Sequence, residues 1–271
     1  MRIAFVGRAG SGKTTCAAVF GRYLGAQGVP VLALDAAADR RLGAALGLAG
    51  PLPGCPRLDD RAGSSGAQGR GGPRIVDLDP GGELMSRYGV AAPDGVRLLG
   101  TDAVEPLLDH LVDGEGEYVV LDLAAEAYAV GQFTPFDLTV LVTEPTRRDV
   151  GLYRRCAALA SEHGVELRVL GNKISDGGHA AWLTEEMGDA LVGCFGHSAW
   201  VRAAERGSAR SVSGLEPGNV LALAAVREAL DACRRALPSP PRNARQGDTA
   251  ATGSQRCHPA EVVTNYSASS R

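Results

Sequence analysis

The residues Gly7-Arg8-Ala9-Gly10-Ser11-Gly12-Lys13-Thr14 follow the pattern G-x-x-x-x-G-K-[ST] without exception. An apolar run precedes them and a helix-forming stretch follows, the setting this motif needs. Its glycines let the backbone curl so that the N–H groups of Gly7, Ala9, Gly10, Ser11, Gly12 and Thr15 turn inward around a phosphate chain. Lys13 then reaches the β- and γ-phosphate oxygens, and Thr14 offers its hydroxyl to Mg²⁺. The competing reading is a glycine-rich turn with no ligand. Asp35 and Asp122 each end an apolar run, as do Asp77 and Asp79, so they compete as acids for the metal. A strand-end Asp also serves as an ordinary loop or helix cap.

These groups work only if strands and helices bring them together. Short apolar runs mark candidate strands at Arg2–Val6, Val29–Leu34, Arg74–Leu78, Val96–Leu99, Tyr118–Leu123, Asp137–Thr143, Val165–Gly171 and Leu191–Phe195. Several lack in/out alternation, as strands of a parallel sheet buried on both faces do. Helical spacing falls between them at Lys13–Gln27, Arg40–Leu46, Val104–Leu111, Arg148–His163, His179–Met187 and Asn219–Leu237. The alternation predicts an α/β domain, a mostly parallel sheet with helices on both faces, over residues 1–237. Its ligand belongs beyond the carboxyl ends of the strands. Gly50–Pro73 is rich in Gly, Pro and Ser and reads as a flexible insertion; residues 238–271 read as a disordered tail.

Composition narrows the function classes. Basic and acidic residues number 28 and 31, for a net charge of −3, so the chain as a whole has no drive toward nucleic acid or anionic lipid. Arg147, Arg148, Arg154 and Arg155 form only a local cluster. No apolar run reaches the roughly 18–20 residues of a membrane span, and the opening MRIAFVGRAG is too short for a secretory leader. Cys16, Cys55, Cys156, Cys194, Cys233 and Cys257 show no C-x-x-C spacing and read as reduced thiols of a cytoplasmic protein. Lys13 and Lys173 are the two lysines of a chain otherwise supplied with Arg. Arg and Lys are not equivalent in tight sites, so both survivors are site candidates.

GRAGSGKTT resembles the deviant Walker A motif of the MinD/ParA class of P-loop ATPases, G-K-G-G-x-G-K-[ST]. VLALDAAADRRLGAALGL is similar to the D-A-D-P-x-x-x-L-G-x-A-L-G-L stretch of the CooC-type subgroup, which serves nickel insertion into carbon monoxide dehydrogenase. YVVLDLAAEAYAVG, DLTVLVTEPTRRDV and VLGNK follow in that family's order. The resemblance covers about Met1 to Leu237 and implies a single P-loop NTPase domain. It implies a protein that binds ATP and Mg²⁺ and forms a nucleotide-dependent homodimer, hydrolysing ATP to control an unidentified partner protein. It assigns Asp122 as the Walker B carboxylate holding Mg²⁺ with Thr14, and gives Asp35 a part in phosphate or metal geometry. Asn172 and Lys173 flank the purine, and His197–Gly207 is similar to a second base-flanking loop. A guanine reader, N-K-x-D, needs Asp at Ser175; Asp176 comes one residue late, which favours ATP.

Three departures bear on mechanism. The family's signature lysine, which reaches the partner subunit's phosphates, falls on Arg8. The acid that orients the attacking water falls on Ala37, and Asp39 lies two residues further on. The C-x-C pair of CooC-type proteins is missing from Val96–Tyr118, whose one soft ligand is His110; Cys257-His258 alone cannot close a metal site. Ala124 and Ala125 also depart from the Walker B pattern. Slow hydrolysis is therefore expected. The alternatives are a catalytically degenerate nucleotide-binding module and a small-molecule kinase or ligase, for which Tyr153–Arg155 offers only a weak acidic-substrate grip.

Overall fold

The computed structural model describes residues 1–37, 39–50, 88–101, 104, 107–108, 116–123, 136–207 and 211–236, all within the compact unit Met1–Leu237. Eight strands form one sheet in the order 3-4-2-5-1-6-7-8. They are β1 (Arg2–Val6), β2 (Val31–Asp35), β3 (Val90–Ala91), β4 (Val96–Gly100), β5 (Tyr118–Asp122), β6 (Leu138–Thr143), β7 (Leu167–Ile174) and β8 (Leu191–Gly196). Every pairing is parallel except that of β3 with β4, so the sheet is an α/β sheet as the alternation predicts. The α-helices bounded within the described residues are α1 (Lys13–Gly25), α2 (Leu42–Ala45), α3 (Arg147–His163), α4 (Gly177–Met187), α5 (Ala199–Glu205) and α6 (Pro217–Ala236).

Period-two alternation along β1 assigns the two faces. Ile3 and Phe5 join the cluster under α1, α2, α5 and α6, while Ala4 and Val6 belong to the opposite clusters, where α3 and α4 pack. Helices therefore cover both sides, which explains the near-continuous apolar strands. Strand β1 is central, and its carboxyl end opens directly into the glycine loop and then α1. Such a chain reversal at the middle of a doubly wound sheet is where α/β folds bind ligands.

The element boundaries differ from the sequence expectation in instructive ways. Pro30 delays β2 to Val31, and the strand runs on to include Asp35. The segment expected as a base-flanking loop contains a helix, α5, whose cap is Ser198 accepting from the Val201 amide at 2.9 Å. Strand β3 is only two residues long, too short for periodicity to register. The predicted strand Arg74–Leu78, residues 51–73 of the insertion, residues 238–271 and most of Val104–Leu111 lie outside the described residues. So do Asp77, Asp79, His110, Ala124, Ala125, Cys55, Cys257 and His258. Among the described residues no helix is long and apolar enough to cross a membrane.

The far end of α1 is fixed by a buried charge. Arg22 is wholly buried, donates through Nε to Asp94 Oδ2 at 2.7 Å, and lies 4.8 Å from the ring centre of Trp200. It thereby joins α1 to the turn Pro93–Gly95 and to α5. Removing one partner of a buried pair strands the other. Asp94→Ala should lower unfolding stability by about 3–5 kcal/mol in urea titrations. Combining it with Arg22→Met should recover part of that loss, because no charge is then left buried.

Candidate phosphate site

The loop after β1 folds as its residue types require. Gly12 caps α1 with φ 90°, a left-handed conformation, and a Cβ there would meet Asn172 Nδ2 at 2.1 Å. At Gly7 a Cβ would meet Ser11 Oγ at 2.6 Å and the Val142 carbonyl at 2.7 Å, so β6 presses directly on the loop. The first intrahelical bond of α1 runs from the Cys16 amide to the Gly12 carbonyl, 2.9 Å. The amides of Lys13, Thr14 and Thr15 precede it and so have no partner inside the helix. No acidic residue occupies this first turn and no side chain caps it. The helix therefore presents uncompensated positive potential to whatever enters the loop.

Beneath the loop lie two carboxylates. The register of β2 on β5 sets Asp35 beside Asp122, both fully buried. Thr14 donates its hydroxyl to Asp122 Oδ2 at 2.6 Å, and Asp35 Oδ2 accepts the Leu42 amide at 3.0 Å. The second oxygen of each, Oδ1, is buried without a protein partner. Burial raises both pKa values; for Asp122 it does so to about 6, against the opposing pull of Thr14 and Lys13. Thr14 and these carboxylates form a set of hard oxygen donors, the chemistry that suits Mg²⁺. Ala37 is buried and brings no oxygen of its own side chain to them. Cys16 lies near Asp122 as well, but burial first and that charge second push its thiol up to about 12.

Three residues that the resemblance places beside nucleotide have partners within the chain. Asn172 is buried and donates from Nδ2 to the Ser11 carbonyl at 2.7 Å. Lys173, in a left-handed conformation at φ 58°, donates from Nζ to the Gly10 carbonyl at 2.7 Å and pairs with Glu144 at 3.0 Å. Arg8 turns to the buried Asp149, Nε to Oδ1 at 2.9 Å, with Glu144 at 3.9 Å. The end of β7 thus carries the loop's carbonyls, and the start of α3 holds the loop's arginine. Asp176, the displaced candidate for guanine recognition, caps α4 by accepting the His179 amide at 3.0 Å.

Several residues of this neighbourhood escape the sequence reading. Asp149 also accepts the Glu144 amide at 2.8 Å, and its own amide bonds Thr146 Oγ1 at 3.2 Å. The Thr146-x-x-Asp149 spacing is a helix-start signature that identifies this turn. Glu216 accepts the Ala199 amide at 2.8 Å; burial opposes its ionisation, but bonds from Ser198 and backbone amides prevail and hold it at about 2. A cleft of about 480 Å³ opens beside Lys13, Thr14 and Thr15, lined also by Asp39, Arg41 and Glu205.

The raised pKa of Asp122 sets a pH signature. Folded Asp122 keeps its proton up to about 6, whereas the unfolded group releases it near 3.8. Between these values the folded state binds more protons, so stability falls as pH rises through the window. Without metal or nucleotide, Asp122→Asn should stabilise the protein at pH 7.5 by up to about 3 kcal/mol. Thermal melts should show the gain shrinking as pH drops below 6.

No family model matches the chain. The carbon monoxide dehydrogenase accessory protein CooC of Rhodospirillum rubrum is 29% identical over 189 residues, covering 61% of this chain and 71% of that protein. An uncharacterized ATP-binding protein of Methanocaldococcus jannaschii is 28% identical over 193 residues, 64% of this chain and 75% of the relative. Among solved structures, the MinC:MinD cell division protein complex of Aquifex aeolicus superposes with a TM-score of 0.60 at 17% identity, spanning 89% of this chain and 98% of that one. The chain is thus similar in sequence to CooC and to an ATP-binding protein, and its fold, an eight-stranded α/β sheet with a glycine loop after the central strand, is that of MinD.

Proposed function

We propose that the protein binds ATP at the loop Gly7–Thr15 and uses the nucleotide to control pairing with a second copy of itself and with a partner protein. One observation carries the reading: an uncapped helix N-terminus, free of acidic residues in its first turn, stands over two buried carboxylates with unpartnered oxygens. Anions suit the first feature and a hard cation the second. The related M. jannaschii protein is named as ATP-binding, CooC as an accessory protein, and MinD as part of a complex with MinC.

In this reading Lys13 and the amides of the loop and of the first turn of α1 neutralise the phosphates, apart from the Ser11 amide, which bonds the Arg8 carbonyl at 3.0 Å. Thr14 and Asp122 hold Mg²⁺, which supplies charge stabilisation for phosphoryl transfer. Asp35 keeps α2 close to the loop through the Leu42 amide and lends a second carboxylate. Ala37 neither accepts a proton nor aligns a water, so hydrolysis is slow, or absent in the second reading of a nucleotide-binding module. Arg8 in this arrangement serves the start of α3; a role across a dimer requires it to leave Asp149.

The test is size-exclusion chromatography with light scattering, with and without ATP–Mg²⁺, on wild type and Lys13→Ala. Wild type should double its mass with ATP–Mg²⁺ and Lys13→Ala should stay monomeric. An unchanged wild-type mass would remove the dimer from the proposal. Phosphate release of about 1 s⁻¹ or faster would contradict the slow hydrolysis expected of Ala37.

A further inference from the structure

The cations around the loop are unequally committed. Lys173 is spent on the Gly10 carbonyl and Glu144, and Arg8 on Asp149 and Glu144. Neither lines the cleft beside Lys13, Thr14 and Thr15; among the described residues the cationic ones that do are Lys13 itself and Arg41. Arg41, at the start of α2, lines that space together with Lys13.

Its backbone is fixed while its side chain is not. The Ala45 amide bonds the Arg41 carbonyl at 3.0 Å, and the next amide, that of Leu42, is held by buried Asp35 at 3.0 Å. Leu42 and Leu46 are wholly buried in the core shared with α1. The side chain, by contrast, is 74% exposed, and its Nε meets Oδ2 of Asp39, whose side chain is 49% exposed, at 2.9 Å. An exposed pair of this kind is weak, because water competes for both charges. A phosphate chain offers several oxygens to the fork of a guanidinium and stands beside Lys13, so it is the stronger partner.

We infer that Arg41 is a phosphate ligand of this cleft and that Asp39 is the counter-ion it exchanges for the polyphosphate of a nucleoside di- or triphosphate. The inference rests on the nucleotide-binding reading and adds to it a cation supplied by α2. Asp39 opposes binding in two ways, by competing for Arg41 and by repelling the incoming charge. The two residues therefore act with opposite sign, which a merely structural pair would not do.

Calorimetric titration with ATP–Mg²⁺ and with inorganic tripolyphosphate tests this on the full chain. Arg41→Ala should weaken both ligands about five- to tenfold, and Arg41→Lys should restore only part, since an ammonium does not fork. Asp39→Asn should tighten both about two- to threefold, and this gain should shrink in the double variant, where the competition for Arg41 is gone. Thermal melts should be unchanged for all three single variants, as both side chains are exposed. Wild-type affinity in Arg41→Ala, alongside lost binding in Lys13→Ala, overturns the role of Arg41 and leaves the nucleotide reading standing. A loss confined to ATP, with tripolyphosphate unaffected, overturns phosphate contact. If wild type binds neither ligand, both readings fall together.

Discussion

Asp35 and Asp122 stand in register at the ends of adjacent parallel strands, each with one buried oxygen that no protein group satisfies. Burying a carboxylate this way costs stability unless something compensates it. The surrounding structure compensates in part: the Thr14 hydroxyl on one acid, the Leu42 amide on the other, and Lys13 nearby. What remains is a negative pocket under a positive helix end. Buried carboxylate oxygens without a partner are uncommon, and two of them meet here.

The parallel sheet makes that conflict possible. Because β1, β2, β5 and β7 all run the same way, their carboxyl ends deliver the glycine loop, both acids, Asn172 and Lys173 to one edge. The loop is then held at Ser11 and Gly10 by Asn172 and Lys173, while the closeness of the Val142 carbonyl leaves no room for a side chain at Gly7. Within the loop the Ser11 amide also bonds the Arg8 carbonyl at 3.0 Å. A loop fixed in this way has little ordering entropy left to lose on binding.

Much of this was legible in the sequence, for a reason that also explains the rest. The glycine motif, the apolar strands and the two strand-end acids are signals carried by neighbouring residues, so spacing alone exposes them. The turn of Arg8 toward Asp149 and of Asn172 toward the Ser11 carbonyl joins residues 141 and 161 positions apart, which no local pattern encodes. Resemblance placed Asn172 and Lys173 beside a base; in this structure their side-chain nitrogens meet the loop's own carbonyls. Helix α5 went unread because its seven residues are too few for a helical period to stand out. Strand β3 failed the same way.

The buried Arg22 has a mechanical corollary. Its pairing with Asp94 and its contact with Trp200 pin the carboxyl end of α1, while the glycine loop and the strand ends pin the other. A rod clamped at both tips neither slides nor tilts cheaply, so α1 is a poor lever for transmitting events at the phosphates to distant surfaces. Movement has easier exits through parts held by solvated charges. These are the Glu144–Lys173 contact at the start of α3 and the Asp39–Arg41 turn before α2. Around the cleft, the parts held by solvated charge are therefore easier to displace than α1.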